Sequence, residues 1–418
     1  MLKLMLGTGI GQLIALIFIP VLTRLFSPEN FAALESYMFL LMLAGIIATA
    51  RYEFAIVQAK EKEEARSIAS LSFWLACFMA GIWLLLSLTI PSLIANWSGS
   101  PTIQPWLWTL APLTLAAAVT NITSYWFNRE RQFHVAATGK ALYSAASEPI
   151  KAGIGWLHAN ASGLITGTFL GQMVTGIYCY YQFWKKEPGT FFQSSKWEMQ
   201  TVAQSYIQYP KYNLLGSLLN HFAQWIHVAV FFVVYGQDAF VPIAFIALSR
   251  RLIQNPLGLF ATSFSQVFYQ RISQITDAKE LQRYFLSNSK KLLWIGLLPI
   301  ALAWVLPNNL MGWVLGEDWS DAMAYLRILS IWFGLNFVTS SVSFIFFRLH
   351  LQRINLTLDA IHFIAVIVGF YLARYFGLDV MQAVYVLVII KFLFICLNWL
   401  SMFYFVRQYT NQNTVANS

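Results

Sequence analysis

Charge is scarce in this chain. Asp, Glu, Lys and Arg make up 11% of 418 residues, and the 18 acidic side chains are outnumbered by 27 basic ones. Beside 58% apolar residues and a mean hydropathy of +0.58, this excludes an ordinary soluble globular domain. Cysteine is also scarce: Cys77, Cys179 and Cys396 all fall inside apolar runs. That argues against a disulfide framework and for buried packing roles. No cluster of Cys, His and carboxylates has metal-ligand spacing, so no metal is expected and His227 is not read as a ligand. Long polar segments are missing too. The longest on the face opposite the N-terminus, Pro91 to Pro105 and Pro307 to Asp321, are fifteen residues each, which leaves no room for an external catalytic domain. No basic face on a soluble element is available for nucleic acid.

What the chain does have is a series of apolar runs of about twenty residues, the length of a membrane-crossing helix. Backbone groups in hydrocarbon must be satisfied internally, and the runs are continuous where barrel strands would alternate, so the expected fold is an all-α integral membrane protein. Twelve spans are expected near 4–23, 32–51, 68–90, 106–127, 136–157, 163–184, 212–235, 240–261, 291–310, 322–346, 354–373 and 381–406. The first carries Lys3 and no small-residue cleavage pattern, so it reads as a retained helix and not a signal peptide. If both termini are cytoplasmic, nineteen of the Lys and Arg residues fall on inside segments, only Arg24 and Arg374 fall outside, and six lie within spans. This segregation obeys the positive-inside rule. The net charge of +9 is then mainly a topology signal and an attraction to anionic headgroups.

The widest inside segment divides the chain into residues 1–184, a six-helix bundle; 185–209, a cytoplasmic linker; and 210–418, a second six-helix bundle. The linker stretch WEMQTVAQSYIQYP has helical apolar spacing and is expected to lie along the inner surface. Six spans per half make any repeat a parallel one. Two local parallels hint at it: turns at Ser27-Pro28-Glu29-Asn30 and Tyr235-Gly236-Gln237-Asp238, each followed by a span bearing arginine.

Polar residues inside the spans are the candidate functional groups. Asn213, Ser217, Asn220, Gln224 and His227 are spaced 4, 3, 4 and 3, one stripe on a helix of 3.6 residues per turn. The stripe lines a hydrated cavity or supplies hydrogen bonds between packed helices. Arg250 and Arg251 precede Gln254-Asn255-Pro256, where the proline predicts a broken helix. Two guanidiniums at that depth suit an anion site, since arginine offers a planar fork of donors to phosphate; the plainer reading is one snorkelling and one structurally paired. Arg51 and Glu53, two apart, are not expected to pair along one helix, and Arg51 doubles as an inner-face anchor. Glu148 and Lys151, and Asp359 and His362, are i, i+3 pairs, read as local structural pairs or as ion-coupling sites for Na+ or H+. Lys391 is a candidate partner for Asp359. Within the spans, Arg51, Lys151, Arg250, Arg251, Arg327 and Lys391 outnumber Glu35, Glu53, Glu148 and Asp359, and Arg24 adds to the excess at the rim. A surplus of cations in the membrane points to an anionic cargo.

Several motifs together resemble a family. P-V-L-T-R-L-F-S-P-E-N-F at Pro20 to Phe31, R-Y-E-F-A-I at Arg51 to Ile56, E-A-R-S-I-A-S-L-S at Glu64 to Ser72, Y-P-K-Y-N at Tyr209 to Asn213, A-L-S-R-R-L-I-Q-N-P ending at Pro256 and the segment Leu315 to Leu329 are similar to those of O-antigen and polysaccharide-unit flippases. These are the lipid-linked oligosaccharide translocases of the multidrug/oligosaccharidyl-lipid/polysaccharide exporter superfamily. Ala32 departs from the pattern, which more often has glycine there. The resemblance implies two six-helix bundles forming a V around a cavity that opens to each side in turn, in a bacterial cytoplasmic (inner) membrane. It implies translocation of a polyprenyl-pyrophosphate-linked oligosaccharide from the inner to the outer leaflet. Arg24, Arg51, Arg250 and Arg251 would hold the pyrophosphate and the Asn213 to His227 stripe would face the sugars. The implied partners are the lipid-linked oligosaccharide, the bilayer, and a polymerase with other polysaccharide-assembly proteins. Rival readings are a drug/cation antiporter of the same fold, disfavoured by the cation surplus, and a membrane polysaccharide polymerase or ligase, disfavoured by the short outer loops.

Overall fold

The computed structural model describes residues 2–416 except Phe133 and His350, with the side chains of residues 2–8, Ala223, Gln352 and 412–416 left aside. Lys3, counted above among the inside charges, lies outside the described side chains. The described residues form helices and connecting turns, with no strand. The long helices are α1 (Leu2–Leu25), α2 (Pro28–Ile47), α3 (Lys62–Thr89), α4 (Leu110–Arg129), α5 (His134–Leu157), α6 (Ala161–Lys186), α7 (Lys196–Ser205), α8 (Leu215–Tyr235), α9 (Phe240–Ser249), α10 (Asn255–Gln274), α11 (Ala278–Val305), α12 (Ala322–Val342), α13 (Gln352–Tyr375) and α14 (Val380–Ala416). By length and composition alone, six segments qualify as membrane-crossing: Pro28–Ile47, Lys62–Thr89, Gln224–Gln274, Glu317–Arg348, Arg353–Tyr375 and Val380–Asn411. Helices such as α5, with Lys140, Glu148 and Lys151, carry too much charge to stand out by hydropathy. The protein is a multi-pass membrane protein, and large apolar side chains such as Leu85, Leu88, Trp294 and Leu298 are exposed on its surface, as a lipid-facing surface requires.

The chain forms two compact units, Met1–Val233 and Val234–Ser418. In the first, α1 packs on α5, α5 on α6 and α3 on α4. Tyr52, Ile56, Ile68, Trp126, Phe183 and Phe191 form a buried core. In the second, α11 packs on α12 and α13 on α14, around Phe268, Phe285, Phe337, Phe346 and Met402. The cysteines are free thiols, Cys179 buried and the other two half-buried.

The two units share a local device. Arg129, in the last turn of α4, donates from Nη2 to the carbonyls of Ala59 (3.0 Å) and Lys60 (3.2 Å). Arg348, just after α12, donates from Nε to Ile272 O (2.9 Å) and from Nη2 to Ile275 O (3.1 Å). In each case a guanidinium binds carbonyls at or just past the end of an earlier helical segment, where the last carbonyls have no partner within a helix.

The linker is bound to the first unit. Glu187, 5% exposed, receives both Nε (3.1 Å) and Nη2 (2.8 Å) of Arg66 on α3 and pairs with Lys62 at 2.5 Å. Phe191 stacks on Phe73 at 4.5 Å. The expected surface helix is α7, opened by a reciprocal cap between Ser195 and Glu198, and Tyr52 Oη bonds Ala203 O at 3.0 Å.

Two of the helix breaks come where charge and proline meet. Asn255 N–H bonds back to Arg250 O, five residues earlier, making a π-helical turn over Arg250–Gln254. Pro256 has no N–H for a normal helical bond, so the turn before it widens. Pro210 sits in a second such turn, Tyr209–Leu214. The break after α2 has no proline: Ala50 (φ 49°) and Arg51 (φ 65°) adopt left-handed conformations, and a short 3-10 helix, Tyr52–Val57, follows. Such backbone is costly for non-glycine residues and clusters at functional sites.

Glu148 and Lys151 pair at 2.8 Å across Pro149, and both are buried, 6% and 4% exposed. Gly167 on α6 closes over the pair, since a Cβ there would collide with Lys151 Cγ. Removing one partner of a buried pair costs about 3–5 kcal/mol, whereas replacing both by apolar residues of similar volume is often neutral. Glu148→Ala is therefore expected to lower the thermal midpoint of the purified protein sharply, and the double variant Glu148→Met, Lys151→Met to restore most of it. Equal loss in both variants would show that the pair does more than neutralise itself.

Candidate functional site

The first unit holds a cavity of about 540 Å³. One wall is α2 and its end, contributing Met38, Met42, Gly45 and Arg51; Asn121 comes from α4, Tyr143 from α5 and Gln172 from α6. The opposite wall is α8, through Ser217, Asn220, His221, Gln224 and Trp225. Of the stripe expected on this helix, the middle three members line the cavity. Asn213 does not: it precedes the helix on the π-helical turn Tyr209–Leu214, which resets the register, and it is exposed. His227 is 1% exposed and lies off the cavity lining.

Arg51 corrects one expectation. It reaches Glu53 at 3.5 Å, because the chain leaves helical geometry at Ala50 and Arg51 and the rule for residues two apart on one helix no longer applies. Glu53 is fully buried and also receives a hydrogen bond from Thr49 Oγ1. The guanidinium lies 5.1 Å from the centroid of Phe54, an attractive cation–aromatic geometry.

His221 and Trp225 were not singled out by the stripe. They follow from it when the helix face is drawn wider, since 217, 220, 221, 224 and 225 fall on one surface at 3.6 residues per turn. His221 stacks on Phe39 at 5.2 Å and 13° and lies 6.1 Å from Trp225 at 27°. Gln224 Nε2 donates to Asn220 Oδ1 at 3.0 Å. Asn121, Tyr143 and Gln172 lie far apart in sequence, and only the packing of three helices brings them together.

The remaining predicted residues lie elsewhere. Arg24 is exposed in the last turn of α1, where a cation interacts favourably with the helix dipole. Arg250 and Arg251 are half-buried on the π-helical turn of the second unit. In that unit Lys391, 3% exposed, sits 4.6 Å from the Trp332 ring centroid and within electrostatic reach of Asp359 and Arg250. His362 stacks on Phe394 at 4.3 Å, and Asn355 Nδ2 donates to Asp359 Oδ2 at 3.4 Å. Asp359, His362 and Lys391 thus belong to one buried neighbourhood. Arg327 is different again: it donates to Ala303 O at 3.1 Å and Leu306 O at 2.7 Å and to Asn308, closing the end of α11. Several of the cations counted as surplus, Arg51, Lys151 and Arg327 among them, therefore have structural partners. No group of three or more potential metal ligands occurs among the described residues.

The sequence model of a family described as "Polysaccharide biosynthesis protein" matches residues 21–324. No curated protein matches the chain. Among solved structures, the lipid II flippase MurJ in an inward closed conformation superposes with a TM-score of 0.75 at 15% identity, covering 99% of this chain and 91% of that one. An inward-facing multidrug resistance MATE family transporter of the MOP superfamily gives 0.71 at 16% identity, covering 99% and 96%. A MOP superfamily transporter from Pyrococcus furiosus, described as having a binding pocket of reverse polarity, gives 0.61 at 16% identity, covering 97% and 95%. These likenesses establish a MATE/MOP transporter fold. With its sequence match spanning most of its length, the chain belongs to the polysaccharide biosynthesis protein family.

Proposed function

We propose that this protein is a flippase that moves polyprenyl-pyrophosphate-linked oligosaccharide units, of O-antigen or a related surface polysaccharide, from the cytoplasmic to the outer leaflet by alternating access. The observation that carries this reading is the adjacent pair Arg250 and Arg251, half-buried on a π-helical turn within an apolar helical segment. Two guanidiniums offer a dense array of donors for a pyrophosphate, and local widening of a helix is frequent at functional sites. Arg51 and Arg24 would assist along the route, and the α8 stripe would meet the sugars. Membership of a polysaccharide biosynthesis family and the flippase-like fold support the same reading, which calls for transport without covalent chemistry. A drug/cation antiporter would fit the fold equally, but it calls for an acidic site, and the membrane-embedded charge here leans the other way.

Twelve crossings with both termini cytoplasmic, arranged as residues 1–184 and 210–418 joined by the 185–209 linker, would provide the two halves of the alternating machine in a bacterial inner membrane. Glu148 with Lys151, and Asp359 with His362, are the candidate groups for coupling to H+ or Na+. A polymerase and other assembly proteins would receive the delivered unit.

Deleting the gene is expected to accumulate lipid-linked oligosaccharide on the cytoplasmic leaflet, and wild-type protein to clear it. Arg250→Ala and Arg251→Ala should each slow clearance about ten- to a hundredfold, as expected for losing a charge-assisted hydrogen bond of about 1.5–3 kcal/mol, and the double variant should abolish it while still inserting in the membrane. Full transport by the double variant would sink the proposal. Reporter fusions test the topology: fluorescent-protein fusions after Glu187 should fluoresce and phosphatase fusions after Gly316 should be active. The reverse pattern would overturn the orientation.

A further inference from the structure

We infer that the cavity of the first unit is a recognition site for an uncharged pyranose of the cargo's oligosaccharide and not for its pyrophosphate. The inference rests on the flippase reading and assigns a division of labour within it. Its charge inventory is the first argument. Among the described residues lining the cavity, Arg51 is the one that carries a charge, and Glu53, 3.5 Å away, already draws on it. A pyrophosphate bound there would set its several negative charges against a single guanidinium already shared with a carboxylate.

Primary amides are the commonest polar groups of the lining, beside Ser217, Tyr143 and His221. Asn121, Gln172, Asn220 and Gln224 converge from α4, α6 and α8, and each amide offers both donors and an acceptor. That mixed pattern matches sugar hydroxyls, which also both donate and accept. Gln224 Nε2 donates to Asn220 Oδ1 at 3.0 Å, which holds this pair in place and leaves the Gln224 oxygen as an acceptor and the Asn220 nitrogen as a donor for hydroxyls.

A second, independent observation is His221. Its side chain lines the cavity and is 5% exposed, and its Nε2 is buried with no hydrogen-bond partner among the described residues. A buried polar nitrogen left unmatched is costly, and a ligand hydroxyl would satisfy it. Trp225, beside His221, gives the cavity an aromatic surface on which the C–H face of a sugar ring can lie. Apolar walls with a few convergent polar groups are the usual make-up of a small-molecule site, and a site built to bond hydroxyls rejects ligands lacking them.

The test needs no transport. Full-length protein in lipid nanodiscs is probed by saturation-transfer NMR with free hexoses and N-acetylhexosamines, with inorganic pyrophosphate as competitor. At least one uncharged sugar should receive saturation, excess pyrophosphate should not displace it, and Trp225→Ala and Gln172→Leu should each weaken binding at least tenfold. Both variants are first checked for monodispersity; if one fails to fold, the other decides. Absence of binding by every uncharged sugar, binding unchanged in the folded variant, or displacement by pyrophosphate would each overturn the inference. Those results would leave the flippase reading standing, because that reading is decided by the arginine variants in the clearance assay.

Discussion

A charge in hydrocarbon must find a partner, and the way each one does so organises this molecule. Glu148 and Lys151 neutralise one another across a proline. Arg51 turns out of its helix to reach Glu53. Arg327 spends its donors on the open end of α11, and Lys391 rests on the face of Trp332 near Asp359. Each solution also fixes a piece of backbone: a kink, a break or a helix end. Charge placement and chain geometry are therefore one problem here, and the broken helices are where they meet.

This constraint separates two kinds of polar site. In the second unit, Arg250 and Arg251 occupy a widened turn whose form follows from Pro256, and they concentrate positive charge. In the first unit, the cavity wall is apolar with convergent amide, imidazole and indole groups and one tempered guanidinium. A lipid-linked oligosaccharide has the same two-part chemistry, an anionic link and a neutral, hydroxyl-rich chain. The correspondence gives the proposed function its chemical sense.

Much of the all-helical architecture was legible in the sequence, because apolar runs, prolines and the capping residues of the linker helix are written locally. The break before Pro256 and the helix after Ser195 follow from residue types whose backbone demands are strong. The break at Ala50 and Arg51 was not legible, since neither residue favours a left-handed conformation and only the packed surroundings impose it. For that reason the Arg51–Glu53 pairing was unexpected. The α8 stripe was half right: its centre faces the cavity, but a π-helical turn cut off Asn213 and the face was broader than a single file of residues. Asn121, Tyr143 and Gln172 had no local signature, because their meaning arises only from the convergence of separate helices.

The paired guanidinium clamps have a mechanical corollary. Arg129 fastens the C-terminal end of α4 to the segment that follows α2, and Arg348 fastens the turn that follows α12 to the end of α10. Those joints are fork-shaped and multiply bonded, so within either unit the tethered ends travel together. Flexing in the proposed working cycle would then fall on the interrupted stretches, Ala50–Arg51 in one unit and Arg250–Gln254 in the other. The arginines proposed to grip the cargo would then sit at the pivots themselves.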